Sequence, residues 1–100
     1  MLKLALFARL EAKPGMEDAV EKLLAAGLTL AQEETTTPIW FALRLGPSTF
    51  GIFDAFQDEA GRQAHLTGPI AQALMANADA LLSQPPSIEP IDVLGFKNAA

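Results

Sequence analysis

Two apolar segments rich in aromatic residues, 39–45 and 50–57, flank the turn sequence GPST at 46–49. Glycine, proline and serine favour turns, whereas β-branched and aromatic residues favour strands. The region is therefore predicted to form a β-hairpin with a four-residue turn, which pairs Leu45 with Phe50.

The expected register decides which hairpin side chains share a face of the sheet. One face receives Ile39, Phe41, Leu43 and Leu45 together with Phe50, Ile52, Asp54 and Phe56. The other face receives Trp40, Ala42 and Arg44 together with Gly51, Phe53 and Ala55. Both faces are largely apolar, whereas an antiparallel sheet with one side in water alternates apolar and polar residues.

Periodic patterns on either side of the hairpin complete the predicted fold. Apolar residues alternate over 2–11, which predicts a strand, and helical spacing follows over 16–33. The segments after the hairpin are predicted as helices at 59–66 and from Pro69 to Pro85, and as a strand at 88–96. The order β-α-β-β-α-β predicts one α+β domain over 1–100 with the ferredoxin-like split βαβ topology, a four-stranded antiparallel sheet with helices on one face.

The face that bears Phe7, Trp40 and Phe53 would be left bare if the helices cover the other side. An apolar patch of this kind is seldom left in water, so we expect a second copy of the chain to cover it. The predicted homodimer interface contains Phe7, Trp40, Arg44 and Phe53. Loops folded over the patch are the alternative.

Charge and cysteine content exclude several partners and sites. Twelve acidic residues against seven basic ones give a net charge of −5, and the basic residues are scattered, which argues against nucleic acid. Cysteine is absent, which excludes disulfides and cysteine-ligated metals and suits the cytoplasm. The apolar run 4–8 is too short for a membrane span or a signal peptide, so a soluble protein without membrane association is expected.

The segment 40–66, WFALRLGPSTFGIFDAFQDEAGRQAHL, resembles the central hairpin and following helix of the antibiotic-biosynthesis-monooxygenase-like family. The first strand, the turn Lys13-Pro14-Gly15 and the long helix are similar to the opening of the same family. The resemblance implies a dimeric α+β barrel, in which two sheets pack face to face and each subunit keeps a pocket between sheet and helices. Relatives include quinol and anthrone oxygenases that use neither metal nor flavin, and haem-degrading enzymes.

Residue matching within the family favours one branch over the other. The haem-degrading branch has asparagine, tryptophan and histidine where this sequence has Ala8, Phe56 and Met75, so haem cleavage of that type is not expected. The quinol-oxygenase branch often has Ala-His-Leu at the end of the short helix, which matches residues 64–66. A second histidine of that branch is replaced by Ile70.

No metal and no organic cofactor are predicted. The sequence has one histidine, His65, whereas an iron site built from two histidines and a carboxylate needs two. The glycines lack the spacing of a dinucleotide-binding loop. The remaining chemistry is cofactor-independent oxygenation, in which a base deprotonates a phenol, quinol or anthrone and the anion transfers an electron to O₂.

Asp54 is the predicted base, because the expected register surrounds it with apolar side chains and burial raises the pKa of a carboxyl toward neutrality. His65 is the second candidate catalytic residue, since imidazole exchanges protons near neutral pH. Either residue could instead make purely structural hydrogen bonds. The predicted contacts of a small aromatic substrate are Ala8, Phe41, Ile52, Phe56 and Met75.

Two other functions stay open. The same pocket could bind a small hydrophobic molecule without chemistry, as in a sensing domain, or the chain could form a structural dimer with a filled core. A cavity smaller than about 300 Å³ between the sheet and the helices would favour the structural alternative.

Overall fold

A computed structural model describes residues 1–97. Its elements are β1 (Leu4–Glu11), α1 (Glu17–Glu33), β2 (Ile39–Arg44), β3 (Thr49–Phe56), α2 (Glu59–Leu66), α3 (Pro69–Leu81) and β4 (Ser87–Asp92). The four strands form one antiparallel sheet in the order β2-β3-β1-β4. This order is that of the ferredoxin-like α+β fold, so the predicted fold class is confirmed.

The last strand is shorter than the predicted segment 88–96. Its final pair joins Asp92 to Leu4, and Val93 then donates its N–H to the carbonyl of Lys3 at 2.8 Å. The neighbouring strand, β1, begins at Leu4, so the residues after Val93 have no strand residue beside them. A strand at the sheet edge needs that neighbour, so the prediction is wrong beyond Asp92.

The hairpin register differs from the prediction by one residue. The Thr49 carbonyl accepts hydrogen bonds from the N–H groups of Leu45 at 2.8 Å and Gly46 at 3.2 Å, so Thr49 belongs to β3. Three residues, 46–48, therefore lie between the hydrogen-bonded Leu45 and Thr49, whereas the prediction placed four between its last pair, and Arg44 pairs with Phe50. A shift of one residue moves every side chain of β2 to the opposite face of the sheet.

This register places two residues of the predicted interface on the face covered by helices. Trp40 packs against the core and against α1, where a Cβ on Gly27 would lie 3.3 Å from the indole. Arg44 lies over the Phe50 ring, 4.6 Å from its centroid, and donates to Glu21 of α1 at 3.1 Å. The expected position of Trp40 and Arg44 on the bare face is therefore wrong, and both side chains join β2 to α1.

The face turned away from the helices has an apolar surface of its own. Phe7 and Phe53 pair across β1 and β3 on this face. Phe41 lies beside them, with its ring 6.5 Å from that of Phe53 and with 54% of its surface exposed. We call the residues Phe7, Ile39, Phe41, Leu43, Phe53 and Ile91 the open face.

The core lies between the sheet and the helices. Phe50, Phe56 and Leu10 of the sheet are almost completely buried, as is Val20 of α1. Asp54 of β3 belongs to this same covered face and is 2% exposed. A carboxylate is thus enclosed among apolar side chains at the centre of the sheet.

None of the helices within residues 1–97 has the length and apolar character that a membrane crossing requires.

The start of α2 offers a test of the local structure. Asp58 caps this helix, since its Oδ1 accepts the N–H of Gly61 at 2.8 Å. Asp58→Ala is expected to lower the free energy of unfolding by about 1 kcal/mol, because the N-H group loses its partner. Urea denaturation measures this loss. The control Asp18→Ala removes an exposed acid from the first turn of α1 and is expected to cost less than about 0.5 kcal/mol. Equal losses in the two variants would contradict the cap.

Candidate functional site

A buried histidine lies between two carboxylates on the covered side of the sheet. His65 Nε2 is 2.8 Å from Asp54 Oδ2, and His65 Nδ1 is 2.8 Å from Glu34 Oε1. Thr37 Oγ1 donates to the same Glu34 oxygen at 2.7 Å. The side chains of His65 and Asp54 are 7% and 3% exposed. We call Glu34, His65 and Asp54 the carboxylate–histidine cluster.

Three elements bring the cluster together. Asp54 points toward the helices from β3, and Glu34 is the C-cap residue that directly follows α1. His65 lies one helical turn after Gly61, so both residues face the core. A Cβ on Gly61 would lie 3.0 Å from the Thr36 carbonyl, so glycine allows α2 to approach the segment between α1 and β2. This close approach brings the imidazole within reach of Glu34.

The two carboxylates favour a protonated His65. Burial by itself lowers the pKa of the imidazole, but the hydrogen bonds and charges of Asp54 and Glu34 outweigh it, and the pKa of His65 lies above its ordinary value of 6.5. An ionised carboxylate can only accept hydrogen bonds, whereas both ring nitrogens of a protonated histidine donate. The geometry therefore fits one imidazolium between two carboxylates.

A small cavity adjoins the cluster. Its volume is about 40 Å³, and Asp54 and His65 line it together with apolar side chains, among them Ile70 and Leu74 of α3. Asp54 Oδ1 is buried and has no hydrogen-bond partner within residues 1–97. A buried oxygen without a hydrogen-bond partner is costly.

Three of the five predicted substrate contacts lie at this site. Ala8 and Ile52 line the cavity, and the Phe56 ring centroid lies 5.4 Å from that of His65. Phe41 lies on the open face as a result of the register, so its expected position beside Asp54 is wrong. Met75 is 58% exposed, because it follows Leu74 by one position and points to another side of α3.

A larger groove lies between α1 and β2. Its volume is about 400 Å³, and its walls include Leu24 and Leu28 of α1 and Trp40 of β2. The ion pair between Glu21 and Arg44, at 3.1 Å, is also part of the lining. A groove of this size has room for a ring system, whereas the cavity beside Asp54 does not.

The acidic and histidine side chains do not form a metal site. Within the described part of the chain, no three of them are grouped so that they could hold one ion. Glu34 and Asp54 bond opposite nitrogens of His65, so the three side chains cannot converge on a single metal.

Glu34 was not among the residues predicted from the sequence. The dipole of a helix disfavours negative charge at its C-terminal end, and the last turn of α1 contains no basic residue. An acid that follows such a helix is a signal that its charge has a partner elsewhere in the fold. The threonines that follow and Pro38 indicate only where the helix ends.

Comparison with solved structures defines the class of the fold. A structure described as an antibiotic biosynthesis monooxygenase is 18% identical and has a TM-score of 0.78, over 92% of this chain and 99% of that chain. Rv0793 from Mycobacterium tuberculosis is 18% identical and has a TM-score of 0.79, over 98% of this chain and 99% of that chain. The chain therefore has the antibiotic-biosynthesis-monooxygenase-like fold.

One solved structure is also similar in sequence. The NE2512 protein from Nitrosomonas europaea, described as a protein of unknown function, is 64% identical and has a TM-score of 0.96. The match covers 100% of this chain and 97% of that chain. The chain belongs to the same family as NE2512. No protein-family model and no curated protein sequence matches it.

The raised pKa of His65 predicts how stability depends on pH. A histidine whose pKa is higher in the folded than in the unfolded state stabilises the fold fully below its ordinary pKa of 6.5 and loses that contribution as the pH rises through the raised value. Urea denaturation of the wild type and of His65→Gln across this range measures the effect. The difference in free energy of unfolding is expected to shrink with rising pH. A difference that grows with pH would contradict a protonated His65.

Proposed function

We propose that this chain is a cofactor-independent monooxygenase that acts on a small reduced aromatic substrate such as a quinol or an anthrone. The observation that carries the proposal is the Asp54 carboxylate, in which Oδ2 is held by His65 while Oδ1 is buried and has no partner among the residues that the structure describes. Asp54 also lines an apolar cavity. A carboxylate in this position can take a proton from a substrate hydroxyl or methylene group. The likeness to the fold of an antibiotic biosynthesis monooxygenase supports the same class of reaction.

The proposed reaction needs the substrate, O₂ and one acid–base group. Asp54 takes a proton, and the substrate anion passes one electron to O₂. This transfer leaves a substrate radical and superoxide, which combine into a peroxide on a substrate carbon. Loss of a second proton from that carbon breaks the O–O bond, so that one oxygen atom remains as a C=O group and the other leaves as water. The substrate supplies all the electrons, and its two lost hydrogens end in that water.

The proposal requires the cavity to widen when a substrate binds. Its volume of about 40 Å³ is smaller than the roughly 300 Å³ at which small-molecule sites begin. Ile70 and Leu74 of α3 form one wall, and α3 packs chiefly against α1 and α2. Movement of the first part of α3, which contains Ile70 and Leu74, would enlarge the cavity, while the end of α3 stays attached through the hydrogen bond from the Lys13 N–H to the Leu81 carbonyl at 2.9 Å.

The proposal includes a homodimer formed through the open face. Apolar and aromatic residues dominate this surface, and such surfaces are typical of protein interfaces. Two copies related by a two-fold axis would bury both open faces in one contact. Arg9 and Glu11 form an ion pair at 3.3 Å on the same side of the sheet and would lie near the rim of that contact.

Ligand binding without chemistry is the second candidate function. The groove between α1 and β2 favours it, because its volume of about 400 Å³ suits a small ring system. Trp40 lines this groove and is the one tryptophan of the sequence. Its fluorescence therefore reports a ligand in the groove, whereas the NMR signals of His65 report a ligand at the cavity.

Oxygen consumption with a panel of quinols and anthrones tests the proposed reaction. The wild type is expected to consume one O₂ per product, and Asp54→Asn is expected to lower kcat by about 10²–10⁴, because an amide cannot accept the proton. The control Asp79→Asn changes an exposed acid of α3 and should leave kcat unchanged. A shift of Trp40 fluorescence with no oxygen consumed would favour the binding function. Equal turnover in the wild type and in Asp54→Asn would exclude Asp54 as the base.

Neighbouring residues of β2 provide a matched test of the dimer. Phe41→Glu is expected to give a folded monomer, because it places an unpaired charge in the contact between sheets. Trp40→Glu acts on the opposite face and is expected to lower the free energy of unfolding by about 3 kcal/mol or more. Sedimentation at micromolar concentration measures the mass, and urea denaturation measures the stability. A monomeric wild type, or a dimer that persists in Phe41→Glu, would refute the interface.

A further inference from the structure

The carboxylate–histidine cluster contains one more negative charge than a simple ion pair. A protonated His65 has one positive charge, which Asp54 alone would balance. Glu34 places a second carboxylate on the other ring nitrogen, at 2.8 Å. With both carboxylates ionised and the imidazole protonated, the cluster has a net charge of −1.

Several contacts hold Glu34 in this position. The buried hydroxyl of Thr37 donates to Oε1, the oxygen that also faces His65. The second oxygen, Oε2, is buried and has no partner in the part of the chain that the structure describes. A Cβ on Gly68 would lie 3.5 Å from that oxygen, so the junction of α2 and α3 encloses the carboxylate. Glu34 is therefore a fixed member of the cluster rather than a surface acid.

Burial makes the net charge important for proton transfer. A buried group with a net charge of −1 becomes neutral when it accepts a proton, which a low-dielectric environment favours. A pair formed by Asp54 and His65 alone would be neutral before it accepts a proton and would have a charge of +1 afterwards, which burial disfavours. Among the described residues, the charged groups that act on His65 are Asp54 from β3 and Glu34 from the end of α1. The wall that α3 contributes to the cavity is apolar.

We propose that Glu34 is a positioning residue for the base, because its carboxylate supplies the second negative charge that lets Asp54 accept a substrate proton while His65 remains a cation. This inference rests on the proposed function, which assigns Asp54 as the base. When the proton is taken up, the charge of the cluster changes from −1 to 0. The proton returns to the departing oxygen as water forms, which restores the charge of −1.

Removal of the Glu34 charge without loss of its shape tests the proposal. Glu34→Gln keeps an oxygen that can accept from His65 and Thr37, and Glu33→Gln is the matched control, since Glu33 is an exposed acid at the same helix end. NMR titration of the His65 ring gives its pKa without any substrate. The pKa is expected to fall by about one unit or more in Glu34→Gln and to stay unchanged in Glu33→Gln.

The pH profile of oxygen consumption provides the second measurement. Loss of a negative charge weakens proton binding, so the acid-side midpoint of kcat is expected to move to lower pH in Glu34→Gln. The plateau of kcat is expected to fall at least about tenfold, because a weaker base transfers protons more slowly. A purely structural role would lower kcat without moving the midpoint, and that result would overturn the proposal.

The two measurements separate this inference from the proposed function. An unchanged His65 titration in Glu34→Gln overturns the role of Glu34, whatever the turnover. Absence of oxygen consumption in the wild type, together with a lowered His65 pKa in Glu34→Gln, refutes the oxygenase and with it the role of Glu34 in catalysis. If Glu34→Gln does not fold, Glu34→Ala removes the carboxylate in a second way. The pKa of His65 is then expected to fall in Glu34→Ala, and an unchanged value overturns the proposal.

Discussion

The strand pairings of the sheet decide which side chains face the helices and which face away from them. Because side chains alternate along a strand, the register that sets Arg44 opposite Phe50 places Trp40 in the core and Phe41 on the open face. The pairing of β3 with β1 likewise directs Asp54 toward the helices. A carboxylate enclosed in this way needs a partner from the layer above it, and His65 of α2 is that partner.

The carboxylate–histidine cluster lowers the stability of the fold that surrounds it. Two of its oxygens, Glu34 Oε2 and Asp54 Oδ1, are buried without partners in the described chain, and each such atom costs about 1–3 kcal/mol. Apolar side chains of similar volume would remove this cost. The well-packed core around Leu10, Val20 and Phe50 tolerates it. A costly polar cluster beside a cavity is typical of a site kept for function.

Periodicity and caps were sufficient to predict the order of the elements. Apolar spacing marked the first strand and α1, and Asp58 marked the start of α2 at the correct residue. Such patterns could not predict the register of the β2–β3 hairpin, because the sequence GPST suits turns of three or four residues. The difference depends on the Thr49 carbonyl, which accepts hydrogen bonds from two N–H groups just after β2, those of Leu45 and Gly46. Asp54 and His65 were predicted separately, and the structure places their side chains 2.8 Å apart. Glu34 meets His65 across 31 positions of the sequence, a contact that no local pattern encodes.

The residues of the site are divided between two kinds of support. Asp54, His65 and Glu34 are attached to β3, to α2 and to the position after α1, whereas Ile70, Ala71 and Leu74 of α3 form one apolar wall of the cavity. Substitutions in α3 can therefore change the shape of the cavity while the carboxylate–histidine cluster keeps its geometry. The volume of the cavity can thus vary through one helix without any change in the three polar side chains beside it.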